Sequence, residues 1–391
     1  MTPWCGRPSG PAPVRDARRP VRLAHLCTVD MSLALLLGTE LAVDVEEGFD
    51  VFGISAPGPW VAEVRSLGVT HVPVPELTRA WDPRRDLAAA RRLTGTLRAL
   101  RLDVLHTHNP KTGVLGRVIG RLVGVPVVVN TCHGLWVTPS DRLARRAGVY
   151  GAEAVAARFS HAELFQNAED LRSLRRVLPS GRARVVGNGV DLDRFHFDGP
   201  GRARVRAEWG IGADELVVGS VGRRVAEKGL AEFGVVARAL GDRARFVWVG
   251  PDDADKADRA TTDEPGVAFP GLRHDMPAVY SAFDVFVLPS HREGFSRSAM
   301  EAAACARPMV LSDIRGCREI GTHDEHLLLA PVRDEAGWID AVGGLVGDPG
   351  RRARLGRAAG VRAAAVFDQR AVARASIETY RRVAAARGLG W

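Results

Sequence analysis

Short apolar runs alternate with amphipathic stretches along nearly the whole chain. Val21–Cys27, Phe49–Ala56, Leu102–Thr107, Val125–Thr131, His161–Asn167 and Ala183–Gly187 have the character of strands in the first half. Leu216–Gly222, Ala244–Gly250, Gly266–Phe269, Asp284–Pro289, Pro308–Ser312 and His326–Ala330 follow in the second. Many are almost continuously apolar, as parallel strands buried on both faces require. Between them, Asp86–Leu100, Gly113–Val123 and Leu230–Leu240 have the composition of helices. A βαβα pattern in each half predicts an α/β chain of two Rossmann-like, doubly wound domains facing a central cleft, with ligands at the carboxyl ends of both sheets. The turn-rich Asp198-Gly-Pro-Gly201 marks the break. The expected divisions are a disordered tail at 1–20, a first domain at 21–197, a second at 198–370, and a helix at 371–391 that crosses back to the first domain.

Two carboxylates stand out against this frame. Glu293 follows the strand-like run that ends at Pro289, and Glu301 lies inside an apolar stretch, Ser298 to Ala306, with helical character. Eight helical steps would separate them by roughly 12 Å. Glycosidase carboxylates face each other at roughly 5–9.5 Å, so a two-carboxylate hydrolase is disfavoured. Carboxylates beside a helix start, whose unpaired N–H groups attract anions, suit a ligand carrying both phosphates and hydroxyls, such as a nucleotide sugar. A second loop, Val221-Gly222-Arg223-Arg224-Val225-Ala226-Glu227-Lys228-Gly229, follows the first strand of the second half. Its glycines permit a tight turn, and Arg223 and Lys228 flank it as a pair able to clamp a diphosphate. Taken singly, each feature is equally compatible with solvated surface residues beside a turn.

Together these segments resemble glycosyltransferase family 4, the retaining nucleotide-sugar enzymes of the two-Rossmann GT-B fold. The resemblance runs over roughly residues 21–385. It rests on Val221-Gly-Arg with Glu227-Lys228-Gly229, on Leu288-Pro-Ser-His-Arg-Glu293-Gly-Phe with Glu301-Ala, and on Gly187-Asn-Gly-Val-Asp191. Two further blocks, His106-Thr-His-Asn-Pro-Lys111-Thr-Gly-Val-Leu-Gly116 and Asn130-Thr-Cys-His133-Gly134, complete it. The first half looks most like bacterial members that extend polysaccharide or lipid-linked saccharide chains. The resemblance implies that Arg223 and Lys228 bind the donor diphosphate and stabilise the leaving group. Glu293 would support the transferred sugar, and His133 would face that sugar. Gly222, Gly294, Phe295, Ser296 and Glu301 would bind the donor, with Glu301 on the ribose hydroxyls. His108, Asn109, Lys111 and Gly113 would line the acceptor side. The chemistry implied needs no metal and no cofactor beyond the donor, for which UDP-sugar is the commoner choice. Two departures stand out. Thr28-Val-Asp30-Met-Ser32 replaces the glycine-rich turn after the first strand, and Ser296-Arg297-Ser298 follows Glu-Gly-Phe where smaller residues are usual.

Composition narrows the partners. The 391 residues exceed one ordinary core, and no apolar stretch is long enough to span a membrane. Five cysteines without a C-x-x-C pair imply neither a disulfide framework nor a zinc site, and point to a reducing cytoplasm. The net charge of +8 lies entirely in residues 1–190, whereas 191–391 are balanced. A basic first half is compatible with peripheral contact with anionic lipid at the inner face of the plasma membrane, and seven arginines with interspersed leucines in 79–101 are the segment suited to it. No dense basic patch interleaved with aromatics points to nucleic acid. His106, His108 and His133 lack a carboxylate or thiolate at ligand spacing, so no metal is expected, and Asp252-Asp253-Ala-Asp255 reads as an exposed acidic loop. The resemblance implies a retaining glycosyltransferase using a saccharide or lipid-linked acceptor, and composition and charge leave that expectation standing. The competing readings are a nucleotide-sugar 2-epimerase on the same fold and a non-catalytic nucleotide- or carbohydrate-binding protein.

Overall fold

The computed structural model describes residues 19–80, 82–108, 110–137, 141–252 and 264–391. Residues 1–18, Asn109 and Asp253–Asp255 therefore lie outside the described residues, and with them all of the expected tail but Arg19 and Pro20, one expected acceptor residue and most of the acidic loop.

Two sheets organise the chain. The first comprises β1 (Arg22–Val29), β2 (Asp50–Ala56), β3 (Thr70–Pro73), β4 (Val104–His108), β5 (Val127–Cys132), β6 (Ala162–Phe165) and β7 (Ala183–Val185), in the order β3-β2-β1-β4-β5-β6-β7. The second comprises β8 (Val217–Val221), β9 (Arg245–Val249), β10 (Val267–Gly271), β11 (Val285–Leu288), β12 (Met309–Ser312) and β13 (Leu328–Ala330), in the order β10-β9-β8-β11-β12-β13. The paired strands run parallel, with helices in the connections. Each sheet reverses direction of growth beside its first strand, the Rossmann-type switch. Central strands are buried along most of their length, β8 and β11 among them, which is why their sequences show no polar alternation.

The described residues fall into two compact units. One holds the chain up to Asn130 with Phe159–Ala162 and Ser376–Trp391, and the other holds Thr131–Arg158 and Glu163–Ala375. In the first unit, Leu26, Ile54, Leu93, Leu97, Leu105 and Val128 form the core under the helix Pro83–Leu100. The last helix, Gln369–Ala386, delivers Tyr380 to this unit, where its hydroxyl lies 2.6 Å from His106 Nδ1. In the second unit, apolar clusters cover both faces of the second sheet, one around Phe286 and Met300, the other around Phe233 and Trp248.

Two local expectations are corrected. Asp198-Gly-Pro-Gly201 is not a linker turn. Asp198 caps the helix Gly199–Glu208, its side chain accepting from Gly201 N–H at 2.8 Å, and Pro200 sits in the first turn, where a missing N–H costs nothing. β3 was not expected from the sequence, because its four residues, Thr-His-Val-Pro, give too short an apolar signal. It is paired on one side, to β2, at the sheet's edge.

Candidate active site

The donor-side candidates sit on loops leaving the carboxyl ends of β8 and β11, neighbours in the second sheet. After β8 the chain makes a short 3-10 turn, Ala226–Lys228, ending at Gly229 with φ 77°. A side chain at Gly229 would strike the Pro289 carbonyl, since a Cβ there lies 2.1 Å from that oxygen. Glycine at this position therefore lets the two loops touch. His291 N–H donates to the Glu227 carbonyl at 2.8 Å and ties them further. Lys228 and Glu293 consequently meet, with Nζ 2.6 Å from Oε1 and their side chains 19% and 11% exposed. Gly222 is held at the loop's entry by its N–H to the Val249 carbonyl, while its own carbonyl accepts from Trp248 Nε1 at 2.9 Å. Arg223 stands half-buried in the same loop. Arg224, which the sequence did not single out, pairs with Asp252 at 2.9 Å and lies over the Phe269 ring.

Beyond Glu293, Gly294 and Phe295 lead to Ser296, which caps the helix Arg297–Ala304 by accepting from Ala299 N–H. Phe295 packs edge-on against Phe367 and anchors the loop to the core. Glu301 has its own setting. Tyr280 donates to Oε2 at 2.7 Å and Arg297 Nε to Oε1 at 3.2 Å. Burial pushes the Glu301 carboxyl up, and Arg297 and Tyr280 oppose that rise. Lys228 and Glu293 are thus in contact, whereas Glu301 is held separately by two donors.

His133 comes to the same region through the backbone. A Cβ on Gly134, whose φ is 122°, would fall 2.7 Å from Gly294 Cα, and one on Gly294 would fall 2.3 Å from the His133 carbonyl oxygen. Both glycines are required by this approach. Burial lowers His133 to about 4, with a Gln166 hydrogen bond acting against it, so the ring is neutral at physiological pH. Three residues missed in the sequence hold this junction. Asp170 is ion-paired with Arg315 at 2.6 Å, and Asn167 donates both to Asp170 at 2.7 Å and to the Gly294 carbonyl at 3.0 Å. The Asn-x-x-Asp spacing carries a helix-capping signal, and Asn167 does cap the helix Ala168–Leu174.

The acceptor-side candidates lie in the first unit. Lys111 is buried. Its ammonium pairs with Asp86 and donates to the Thr78 carbonyl at 3.1 Å and the Ala80 carbonyl at 2.6 Å, which fastens the loop before the helix Pro83–Leu100. Gly113 is explained by packing, because a Cβ there would lie 2.9 Å from Asn130 Oδ1. His108 is fully buried and belongs to a cluster with His25 and His106. His25 and His106 are register partners on β1 and β4, and His108, two residues on, shares their face.

Three imidazoles offer one nitrogen each within 4.8 Å of one another, and a carboxylate is present after all, from Asp44. The contacts form a hydrogen-bonded chain. Asp44 Oδ2 lies 2.8 Å from His25 Nε2, and His25 Nδ1 lies 3.0 Å from His108 Nε2. Nitrogens on a tetrahedral metal, each at ~2.1 Å, would stand about 3.4 Å apart with no proton between them. His25 Nδ1 and His108 Nε2, at 3.0 Å, stand within hydrogen-bonding distance. Burial lowers the His25 pKa and raises that of Asp44.

Comparison with known proteins settles the family. A family described as Glycosyltransferase Family 4 matches residues 41–194, and one described as Glycosyl transferases group 1 matches residues 215–348. A D-inositol 3-phosphate glycosyltransferase of Saccharomonospora viridis is 32% identical over 73% of this chain and 71% of its own. The chain belongs to glycosyltransferase family 4. A second relative of this glycosyltransferase is the Escherichia coli UDP-Gal:alpha-D-GlcNAc-diphosphoundecaprenol alpha-1,3-galactosyltransferase, 28% identical over 69% of this chain and 73% of that one. The fold matches sucrose-phosphate synthase from Thermosynechococcus elongatus with a TM-score of 0.79 at 22% identity, covering 94% of this chain and 100% of that one. The fold is GT-B, and the expected fold class and family are borne out. The relatives are transferases, and nothing among them favours the 2-epimerase alternative.

Proposed function

We propose that this glycosyltransferase retains anomeric configuration, works without a metal or cofactor, and moves a hexose from a UDP-sugar to a saccharide carried on a lipid diphosphate. The observation that carries the reading is the Lys228–Glu293 pair at 2.6 Å beside the capped helix Arg297–Ala304. A cation, helix N–H groups and a carboxylate are what a sugar diphosphate needs within one small region.

Lys228 would neutralise charge as the bond between the anomeric carbon and the phosphate oxygen breaks, with Arg223 sharing the diphosphate. Glu293, released from Lys228 by the incoming phosphate, would face the sugar and stabilise its developing positive charge. The acceptor oxygen would bond to the anomeric carbon from the leaving-group side, and its proton would pass to the departing phosphate. Glu301 would accept from the ribose hydroxyls on the oxygen that Arg297 now holds. Neutral His133 would meet the sugar without adding a competing cation. The uridine donor and the lipid-diphosphate acceptor are supported by the name of the Escherichia coli relative.

Peripheral placement on the inner face of the plasma membrane follows from such an acceptor. No helix among the described residues is long and apolar enough to cross a membrane. The helix Pro83–Leu100 turns Leu93 and Leu97 to the core and leaves Arg84, Arg85, Leu87, Arg91, Arg92 and Arg98 exposed. Such a face is suited to anionic headgroups.

The test is incubation of the purified chain, in EDTA, with radiolabelled UDP-hexoses and prenyl-diphosphate-linked N-acetylhexosamine. Label extracted with the lipid, in an α linkage by NMR, is the expected result. Label that stays with the nucleotide, or an epimer formed from donor alone, contradicts the reading.

A further inference from the structure

The junction between the His133–Leu135 segment and the Glu293–Gly294 segment has a builder of its own. Asp170 is fully buried and lies in neither segment, yet it bonds to one directly and to the other through a neighbour. Its Oδ2 accepts from Leu135 N–H at 3.1 Å and from Asn167 Nδ2 at 2.7 Å, and its Oδ1 pairs with Arg315 Nη1 at 2.6 Å. Arg315 returns to the same segment, donating to the Leu135 carbonyl at 3.0 Å and the Val137 carbonyl at 3.4 Å. Asn167 reaches the other segment through the Gly294 carbonyl at 3.0 Å. The short helix that carries Arg315 also packs on Glu293 itself, since a Cβ on Gly316 would lie 2.6 Å from the Glu293 carbonyl oxygen.

We propose that Asp170, acting through Arg315 and Asn167, is a positioning residue that fixes the separation between His133 and Glu293 and so sets the geometry of the sugar subsite. A carboxylate is needed because it serves a guanidinium and two N–H donors at once. An amide keeps the size but loses the ion pair and leaves Arg315 without its counter-charge. Burial pushes the Asp170 carboxyl up, and the Arg315 charge opposes that rise. The backbones in this junction touch without intervening side chains, so a shift of a fraction of an ångström moves both sugar-facing groups. Displacements of about 1 Å can cost about 100-fold in rate. This inference rests on the glycosyl-transfer reading above.

The test uses the full chain. Asp170→Asn, Arg315→Gln and the double variant are compared with the parent for kcat, KM of the UDP-sugar, donor hydrolysis in the absence of acceptor, and affinity for UDP alone. The expected result is kcat lower by about 10- to 100-fold. Hydrolysis should gain relative to transfer, UDP affinity should stay within about twofold, and the double variant should be no worse than the single ones. Gly134→Ala is the second probe, because its Cβ would press on Gly294 Cα without touching any charge. It should reproduce the same loss of kcat with UDP binding kept, and it decides the matter if the Asp170 variants do not fold. Folded variants that keep kcat within twofold of the parent overturn the proposal, as does a loss that falls equally on UDP binding. A parent that transfers no sugar overturns the functional reading. A parent that transfers alongside fully active variants overturns only the positioning role.

Discussion

Lys228 and Glu293, 65 residues apart in sequence, form an ion pair at 2.6 Å with little of either side chain open to solvent. The pair exists because Gly229 lets the loop after β8 lie against Pro289, so the two loops arrive at the same place. A cation already paired with a carboxylate is held in one position before substrate arrives, and a bound diphosphate can take it over without a large rearrangement.

Removing either partner has different consequences. Lys228→Ala should lower kcat by about 10²- to 10³-fold, the scale of losing one preorganised charge donor at a transition state. It also leaves Glu293 without its cation, so donor binding should weaken as well. Glu293→Gln keeps the shape and should lower kcat with little change in UDP affinity. Steady-state kinetics with isothermal titration of UDP checks both, and two variants with parental kcat would remove the pair from the chemistry.

Glu301 should report on the nucleotide instead. Glu301→Gln is expected to weaken UDP by about tenfold, the loss of one charged hydrogen bond, with a smaller effect on kcat. Tyr280→Phe leaves Oε2 of the same carboxylate without its donor and should cost about 1–3 kcal/mol of stability. Titration calorimetry and denaturant melts separate the two effects.

Much of this was legible in the sequence. The central strands announced themselves because both faces are buried, and Leu230–Leu240 is a helix at the residues its composition suggested. The Glu293 and Lys228 loops were legible from glycines that now have a physical cause in backbone approach. The Asp170–Arg315 bracket was not, because its two members are far apart in sequence and each resembles an ordinary helix residue. His25 and Asp44 were hidden for a similar reason, since His25 looks like one polar residue in an apolar strand. Lys111 matched a motif, and its pairing with Asp86 depends on a loop whose path no spacing reveals.

Stability should depend on pH through Glu40. Burial, reinforced by Asp44, raises its carboxyl from 4.5 to about 7, while His25 and a Ser376 hydrogen bond act the other way. The folded state then holds a proton that the unfolded chain releases above about 4.5. This contribution is fully present below that pH and is lost as pH rises through about 7, by at most about 3 kcal/mol. Glu40→Gln should therefore raise the melting temperature at pH 8 and change it little at pH 4.5. Thermal melts across that range check it, and an equal shift at both ends would contradict it.

The exposed arginines of the helix Pro83–Leu100 should bring the protein to anionic vesicles at low salt and release it at high salt. Replacing Arg84, Arg85, Arg91 and Arg92 with Gln should reduce flotation without changing transfer to a short-chain soluble acceptor. Vesicle binding that ignores both salt and these substitutions would assign membrane contact to another surface.

The most direct measurement is a crystal structure of the chain with UDP-hexose bound. The β-phosphate is expected within hydrogen-bonding distance of Lys228 Nζ, the hexose beside Glu293, and the ribose hydroxyls on Glu301. A nucleotide seated away from Lys228, or a Lys228–Glu293 pair left unchanged by the donor, would contradict it.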